Sequence, residues 1–340
     1  MSVCAATTTV ILLNYRGAED TLACLKSLRV LATAPQRIVI VDNASGDGSL
    51  EALQAWLEQE AGNASGGAAA NRPTQVPPGQ KTQYVLLPLA ENNGYASGNN
   101  AGIRLALQDS ACSAVWLVNN DTQVKPHALD ALCRSLSEKP EAGAAGSTLV
   151  FAGSEVIQCL GGQSVSPFLG STKAILEFSR LDEGLLLAPE DVNARIDFTT
   201  GASMLVRRET FERVGLLSEE YFLYYEDVEF GIRIKKAGLG LVWSPESIVY
   251  HKGGPRKEAN REIPRWVDYL ILRNRIYFMR RHYLWSLPLA LCGYGGVLLN
   301  RIRRNQADRL PLVFHALRDG LRGEMGLSRA AKRLMARDLA

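Results

Sequence analysis

Apolar and polar positions alternate between two periods along the first half of the chain. Residues 8–14, TTVILLN, are a short apolar run rich in β-branched side chains, which predicts a buried strand. Residues 17–30 switch to a helical period, with Leu22, Leu25 and Leu28 on one side. RIVIVDN (37–43) is a second apolar strand, and LEALQAWLEQ (50–59) a second helix. The pattern repeats through YVLLPL (84–89), a helix over 96–108 and AVWLVN (114–119). A helix over 126–138 and a strand over 143–151 follow. Strands that alternate with helices predict an α/β fold with a parallel, doubly wound sheet, whose ligands gather at the carboxyl ends of strands. Asn14 and Asp42 fall at those ends.

Past residue 151 the pattern is less regular. Gly-rich turns and short apolar runs over 152–195 predict a β-meander or lid. FTTGASMLVRR (198–208) reads as a strand, and residues 226–237 as a helix closed by Gly238. LVW (241–243) and SIVYH (247–251) read as two short strands. From Pro264 on, the chain is helical, basic and aromatic. Residues 60–82 are poor in apolar bulk and rich in Ala, Gly, Pro and Asn, which predicts a flexible surface insertion within the first domain. The organisation expected is one domain over 1–260 and a basic helical region over 261–340.

Charge sharpens this division. The chain of 340 residues has a net charge of only +3, yet residues 251–340 hold 19 Lys and Arg against 7 Asp and Glu. The tail is therefore net +12 and residues 1–250 net −9. Such a tail suits an anionic partner, or is simply a set of solvated helix faces. Its basic residues are not interleaved as on a nucleic-acid-binding module, so no nucleic-acid partner is expected. Within it, residues 282–300 carry no Lys, Arg, Asp or Glu. A spanning helix, an interfacial helix and ordinary packing all remain open for that stretch. The N-terminus has no positive region before its apolar run, so it reads as a first strand and not as a signal peptide. Six cysteines without a CxxC pair read as reduced thiols of a cytoplasmic chain.

Candidate chemistry collects at strand ends. ENNGYASGNNAGI (91–103) places Asn and Gly in a strand-to-helix turn, where exposed amides suit phosphate or sugar hydroxyls. Its glycines are spaced by four, unlike a dinucleotide fingerprint, and no P-loop GK[ST] follows. LVNNDT (117–122) ends a buried strand with Asp121, a hard oxygen donor for a divalent cation. His251 closes SIVYH. YFLYYEDVEF (221–230) sets Glu226, Asp227 and Glu229 among five aromatic rings. Burial there would raise a carboxyl's pKa towards that of a working base.

Taken together, VILLNYRGAEDTLACLKSL, IVIVDNASGDGS, ENNGYASGNNAGI, WLVNNDT, TGASMLVRRETFERVGLLSEEYFLYYEDVEFGIRIKKAG and the final His resemble family 2 glycosyltransferases of the bacterial rhamnosyltransferase-like branch. The likeness runs in order over about residues 8–282. It implies a GT-A fold, a doubly wound mixed sheet in which a nucleotide-binding half joins an acceptor half, here with a helical C-terminal extension. It implies inverting transfer of a sugar, rhamnose from dTDP-rhamnose above others, from a nucleoside-diphosphate donor with Mg²⁺ or Mn²⁺. The acceptor would be a hydroxyl of a glycan or polyprenyl-linked lipid in surface polysaccharide synthesis. Asp227 is implied as the base, with Glu226 beside it. Asp121 and His251 are implied at the metal, and Asn14, Asp42, Asn43, Asn93, Gly94, Asn100, Asn119 and Asn120 at the nucleotide sugar. Asn119 stands where other branches carry an Asp, which leaves one firm carboxylate. The uncharged stretch and basic tail are consistent with peripheral docking on the inner face of an anionic membrane. A non-catalytic nucleotide-sugar-binding protein on the same fold is the rival. A nucleotidyltransferase is disfavoured because no Gly-rich basic phosphate loop follows the first strand.

Overall fold

The computed structural model describes residues 3–62, 82–253 and 263–338. Most of the 60–82 stretch lies outside the described residues. Strand β1 (Thr8–Asn14) is buried along its whole length, as expected of a central parallel strand covered on both faces. It pairs in parallel with β2 (Arg37–Asp42) and β4 (Ala114–Asn119), and β2 pairs in parallel with β3 (Gln83–Pro88). The intervening helices are α1 (Ala18–Arg29), α2 (Ser49–Gly62) and α3 (Tyr95–Leu107). These are the elements the periodicity predicts. Glycines 98 and 102 of α3 lie on β1: a Cβ on Gly98 would come within 2.5 Å of Leu13, and one on Gly102 within 2.8 Å of Ile11. Their spacing of four thus lets a helix approach the sheet closely.

Beyond β4 the sheet becomes mixed, for a reason the pattern does not reveal. Three-residue β5 (Thr122–Val124) leads to α4 (Ala128–Glu138) and β6 (Ala142–Phe151). The 152–195 region holds β7 (Ile157–Leu160), β8 (Gln163–Val165), β9 (Thr172–Ala174) and two helical turns, α5 (Leu181–Gly184) and α6 (Pro189–Asn193). The strand expected over 198–208 is shorter, β10 (Ser203–Arg207), and is followed by α7 (Arg208–Val214). β10 inserts antiparallel between β4 and β6. Then come α8 (Glu226–Lys236) and β11 (Gly240–His251). The two short strands expected over 241–251 are one strand, with an irregularity between Ser244 and Ile248. Among the described residues, nine strands form one sheet in the order β3-β2-β1-β4-β10-β6-β11-β5, with β7 on the side of β6.

Among the described residues four α-helices follow: α9 (Arg265–His282), α10 (Leu287–Arg303), α11 (Leu310–Arg322) and α12 (Arg329–Asp338). They do not hang off the sheet as a tail. Tyr269, Leu270 and Ile276 of α9 share a core with Phe222, and Phe278 and Met279 share another with Tyr221, Tyr225 and Val228. The sequence boundary at 260/261 therefore crosses a continuous core. Among the described residues, no helix is long and apolar enough to cross a membrane.

Candidate active site

The parallel strands end in a line of polar groups. Asn14 donates through Nδ2 to Asp42 Oδ1 at 2.8 Å, and Ser45 donates its hydroxyl to the same oxygen at 2.6 Å and its N–H to Oδ2 at 3.1 Å. Asp42 is thus buried and held by its own turn. Asn43 donates to Asn92 and to the Gly94 carbonyl, and its Oδ1 is buried without a partner among the described residues. Asn120 donates to Thr21 Oγ1 at 3.0 Å, which ties the β4 end to α1. Asn93 is exposed at the rim. Asn100 lies elsewhere: its amide bonds the Leu217 carbonyl, the Leu217 N–H and Glu219. It clamps the chain that leads to α8 and does not open on the strand ends.

Asp121 and His251 are 130 positions apart in sequence and adjacent in space. Antiparallel pairing of β5 with β11 sets His251 opposite Thr122. His251 Nε2 lies 3.2 Å from Asp121 Oδ1, and Nδ1 lies 2.8 Å from Gln158 Oε1. Gln158 Oε1 accepts from Nδ1, which leaves Nε2 as the ring nitrogen turned towards Asp121. Burial works against ionisation of Asp121, but the hydrogen bond and charge of His251, with Lys252 nearby, hold its carboxyl below the ordinary value. An imidazole nitrogen and a carboxylate oxygen turned on one point fit a divalent cation. Among the described residues no third His, Cys, Asp or Glu joins them. The remaining positions of a hard cation would fall to phosphate oxygens and water, as such ions commonly arrange.

Across from this pair stands α8. The turn before it is strained: Phe222, Tyr224 and Tyr225 all have positive φ, at 67°, 68° and 76°. Left-handed backbone at three bulky residues is costly and persists only where the surroundings enforce it. Asn274 of α9 supplies that enforcement, donating to the carbonyls of Tyr221, Leu223 and Tyr224 at 3.2, 2.9 and 2.7 Å. Gly94 closes the other side. Its φ is +98°, and a Cβ would come within 2.2 Å of the Phe222 carbonyl oxygen.

The strained turn delivers Glu226, buried, and Asp227, half-buried, side by side. Asp227 Oδ1 accepts from its own helix at Val228 N, and Oδ2 from Gly201 N at 3.4 Å. Glu226 Oε2 has no hydrogen-bond partner among the described residues. Burial raises both carboxyls, and the Asp227 charge raises Glu226 further. The pair therefore gives up its first proton at Asp227 and keeps the second on Glu226. Glu229, which could have been a surface residue, is fully buried. It accepts from Arg233 Nε at 2.8 Å and faces His282 Nε2 at 3.2 Å.

The side chain that connects the two halves is one the sequence did not single out. Tyr95, first residue of α3, donates its hydroxyl to Asn119 Oδ1 and the Gly201 carbonyl, both at 2.9 Å. Burial raises its phenol well above the ordinary value, and the charges of Glu226, Asp227 and Asp121 all act on it in the same sense. Tyr95 thus stands within the field of both carboxylate groups. The one sequence signal was its place directly after Gly94.

Residues 9–158 match the profile of Glycosyl transferase family 2. The chain carries a family 2 glycosyltransferase domain. The N-acetylglucosaminyl-diphospho-decaprenol L-rhamnosyltransferase of Mycobacterium tuberculosis is 27% identical over 323 residues, which cover 89% of this chain and 97% of that protein. Among solved structures, GalNAc-T7 with UDP, GalNAc and Mn²⁺ superposes with a TM-score of 0.56 at 13% identity, covering 81% of this chain and 47% of that one. A mannosyltransferase of Pyrobaculum calidifontis, in complex with GDP-Man and Mn²⁺, superposes with 0.52 at 17% identity, covering 93% and 87%. These neighbours bear out the GT-A fold expected from the motifs. This glycosyltransferase is accordingly a hexosyltransferase of glycan or glycolipid synthesis.

Proposed function

We propose that this glycosyltransferase moves L-rhamnose from dTDP-L-rhamnose, with inversion, to a hydroxyl of a glycan or polyprenyl-linked acceptor. The choice of sugar and acceptor follows the mycobacterial relative, whose likeness spans nearly all of that protein. One observation carries the chemistry: a carboxylate pair, Glu226 buried and Asp227 half-buried, is held by a strained turn across Tyr95 from the Asp121–His251 pair.

Asp227 is assigned as the base. It takes the acceptor hydroxyl proton as that oxygen forms a bond to the anomeric carbon, and the bond from that carbon to the diphosphate breaks on the opposite face. The leaving group departs as nucleoside diphosphate, so no second carboxylate has to protonate it, unlike in a glycosidase. Glu226, protonated beside Asp227, can donate a hydrogen bond to the acceptor and adds no competing charge. Asp121 and His251 would hold Mg²⁺ or Mn²⁺, whose charge stabilises the departing diphosphate. Asn14, Asp42, Asn43, Asn93, Asn119 and Asn120 are assigned to the nucleotide sugar, with Gly94 as the pivot of their turn.

The test is a donor screen by ligand-induced melting with and without Mn²⁺ or Mg²⁺. dTDP-rhamnose should raise the Tm more than UDP- or GDP-hexoses, and His251→Ala should remove the metal-dependent part. Asp227→Asn should keep the donor shift and lose about 10²–10⁴-fold in transfer. Unchanged turnover in that variant would remove Asp227 as base. Equal shifts from every donor would remove the rhamnose assignment.

A further inference from the structure

The helix α10 presents its apolar side to the outside. Its inner side is ordinary: Ala290 and Tyr294 are buried, and the Tyr294 hydroxyl donates to the Leu272 carbonyl of α9 at 2.6 Å. The outer side starts at Trp285, 66% exposed in the turn just before the helix, and continues through Leu289 at 50%, Cys292, Gly296, Leu299 at 47% and Ile302 at 54%. These positions recur every three or four residues, so they form one stripe about 25 Å long. A surface helix normally turns such a stripe inward and its polar side out. Leu284, 65% exposed, widens the stripe at its start, and Phe168, 50% exposed, meets Trp285 edge-on at 5.5 Å between ring centres.

Charge says what covers it. Residues 282–307 contain no Asp or Glu. At the far end, Arg301 is held by Asp268 and Gln306, whereas Arg303 and Arg304 are exposed and pair with no carboxylate among the described residues. An acid-free apolar stripe with an aromatic corner at one end and free arginines at the other matches a helix lying in the surface of an anionic bilayer. A second copy of the chain fits less well, because no carboxylate on the stripe answers the arginines.

We propose that α10, with Phe168 and Trp285, is the face by which this protein docks on an anionic lipid leaflet. The side chains of the stripe enter the boundary between headgroups and acyl chains, and Arg303 and Arg304 bind lipid phosphates. The aromatic corner is wired to the candidate site. Ser286 Oγ donates to the Pro167 carbonyl at 2.6 Å, and the Tyr225 hydroxyl donates to the Gly170 carbonyl at 2.8 Å. The loop 167–170 thus joins the docking face to the residue directly before Glu226. Docking in this way fixes the α8 end of the site relative to the membrane surface. The inference does not depend on which sugar is moved or which acid is the base.

The test uses the full chain with vesicles containing phosphatidylglycerol and vesicles of phosphatidylcholine alone. Sedimentation should show partitioning to the anionic vesicles, weakening as salt is raised. Brominated acyl chains should quench tryptophan fluorescence in the wild type and not in Trp285→Phe. Leu289→Ser with Leu299→Ser should weaken partitioning at least about tenfold, and Arg303→Gln with Arg304→Gln about tenfold or more. Both double variants should melt with the wild type, since these side chains are exposed. The proposal is overturned if the wild type ignores anionic vesicles or if the leucine variant partitions as well as the wild type. It is equally overturned if the lipid-free wild type is a dimer that the leucine variant reduces to monomer, which would assign the stripe to a second copy.

Discussion

Glu226 and Asp227 differ less in chemistry than in what surrounds them. Asp227 receives two backbone N–H groups, which favour its ionised form. Glu226 has an oxygen with no partner among the described residues and a charged neighbour, which favour its neutral form. Burial lifts the Asp227 carboxyl from its ordinary 3.8 to about 6. The acid limb of kcat/KM should therefore fall near pH 6 and not near 4, and a limb near 4 would show a solvated base. The same shift affects stability. A carboxyl raised in the folded state favours folding below its unfolded value, and that support is lost as pH rises through its folded value. Asp227→Asn should thus raise stability at pH 7 by on the order of 1–3 kcal/mol, with the gain vanishing below about pH 4. Paired urea melts at the two pH values measure this. A variant inactive in transfer yet more stable is the sign of a group held against its own preference.

At the scale of elements, the turn 221–225 is the part most dependent on its neighbours. Three residues at positive φ are held by the Asn274 amide and by the approach of Gly94. Asn274→Ala leaves every reacting group in place but removes a shared donor from the Tyr221, Leu223 and Tyr224 carbonyls, of which Tyr221 keeps the Leu223 N–H and Arg273. We expect a loss of about 2–3 kcal/mol in stability and a fall in kcat larger than any change in donor binding. Loss of stability with unchanged kcat would show that the turn keeps its shape without the pin. Much of this element was legible beforehand: the composition of YFLYYEDVEF, its place after the sheet and its acids all pointed to a site. The strain was not, because nothing local in Phe222, Tyr224 or Tyr225 favours left-handed backbone. The pin lies some 50 residues downstream on a helix whose sequence reads only as basic and aromatic.

At the scale of the molecule, the C-terminal helices are part of the catalytic half. Arg273, fully buried, donates to the carbonyls of Gly326 and Tyr221, joining the segment beyond α11 to the strained turn. Truncation after His282 removes Gly326 and leaves a buried cation short of a partner. Such a chain should lose transfer activity and melt less cooperatively, so it reports on folding and not on lipid docking. A truncated chain with wild-type turnover and melting would show that α10–α12 are an accessory. Point substitutions on the exposed stripe of α10 separate the two roles.

The sequence by itself determined the parallel half of the sheet, its helices and the polar strand ends at Asn14, Asp42, Asn43 and Asn119–Asp121. Local periodicity and turn chemistry are properties of neighbouring residues, and they read directly from the chain. It also carried the acids of α8 and His251 as separate motifs. Only the tertiary structure decided how they meet. The three residues of β5 are too few to show a period, yet their pairing with β11 brings His251 to Asp121. Insertion of β10 antiparallel between β4 and β6 places Gly201 against Asp227 and lets Tyr95 reach between the two groups. The glycines of α3 and the amide of Asn100, which composition offered to a ligand, are used in packing. The uncharged stretch after His282 proved to be a helix with its apolar stripe outward, because which side of a helix is buried depends on what packs against it and not on its sequence alone.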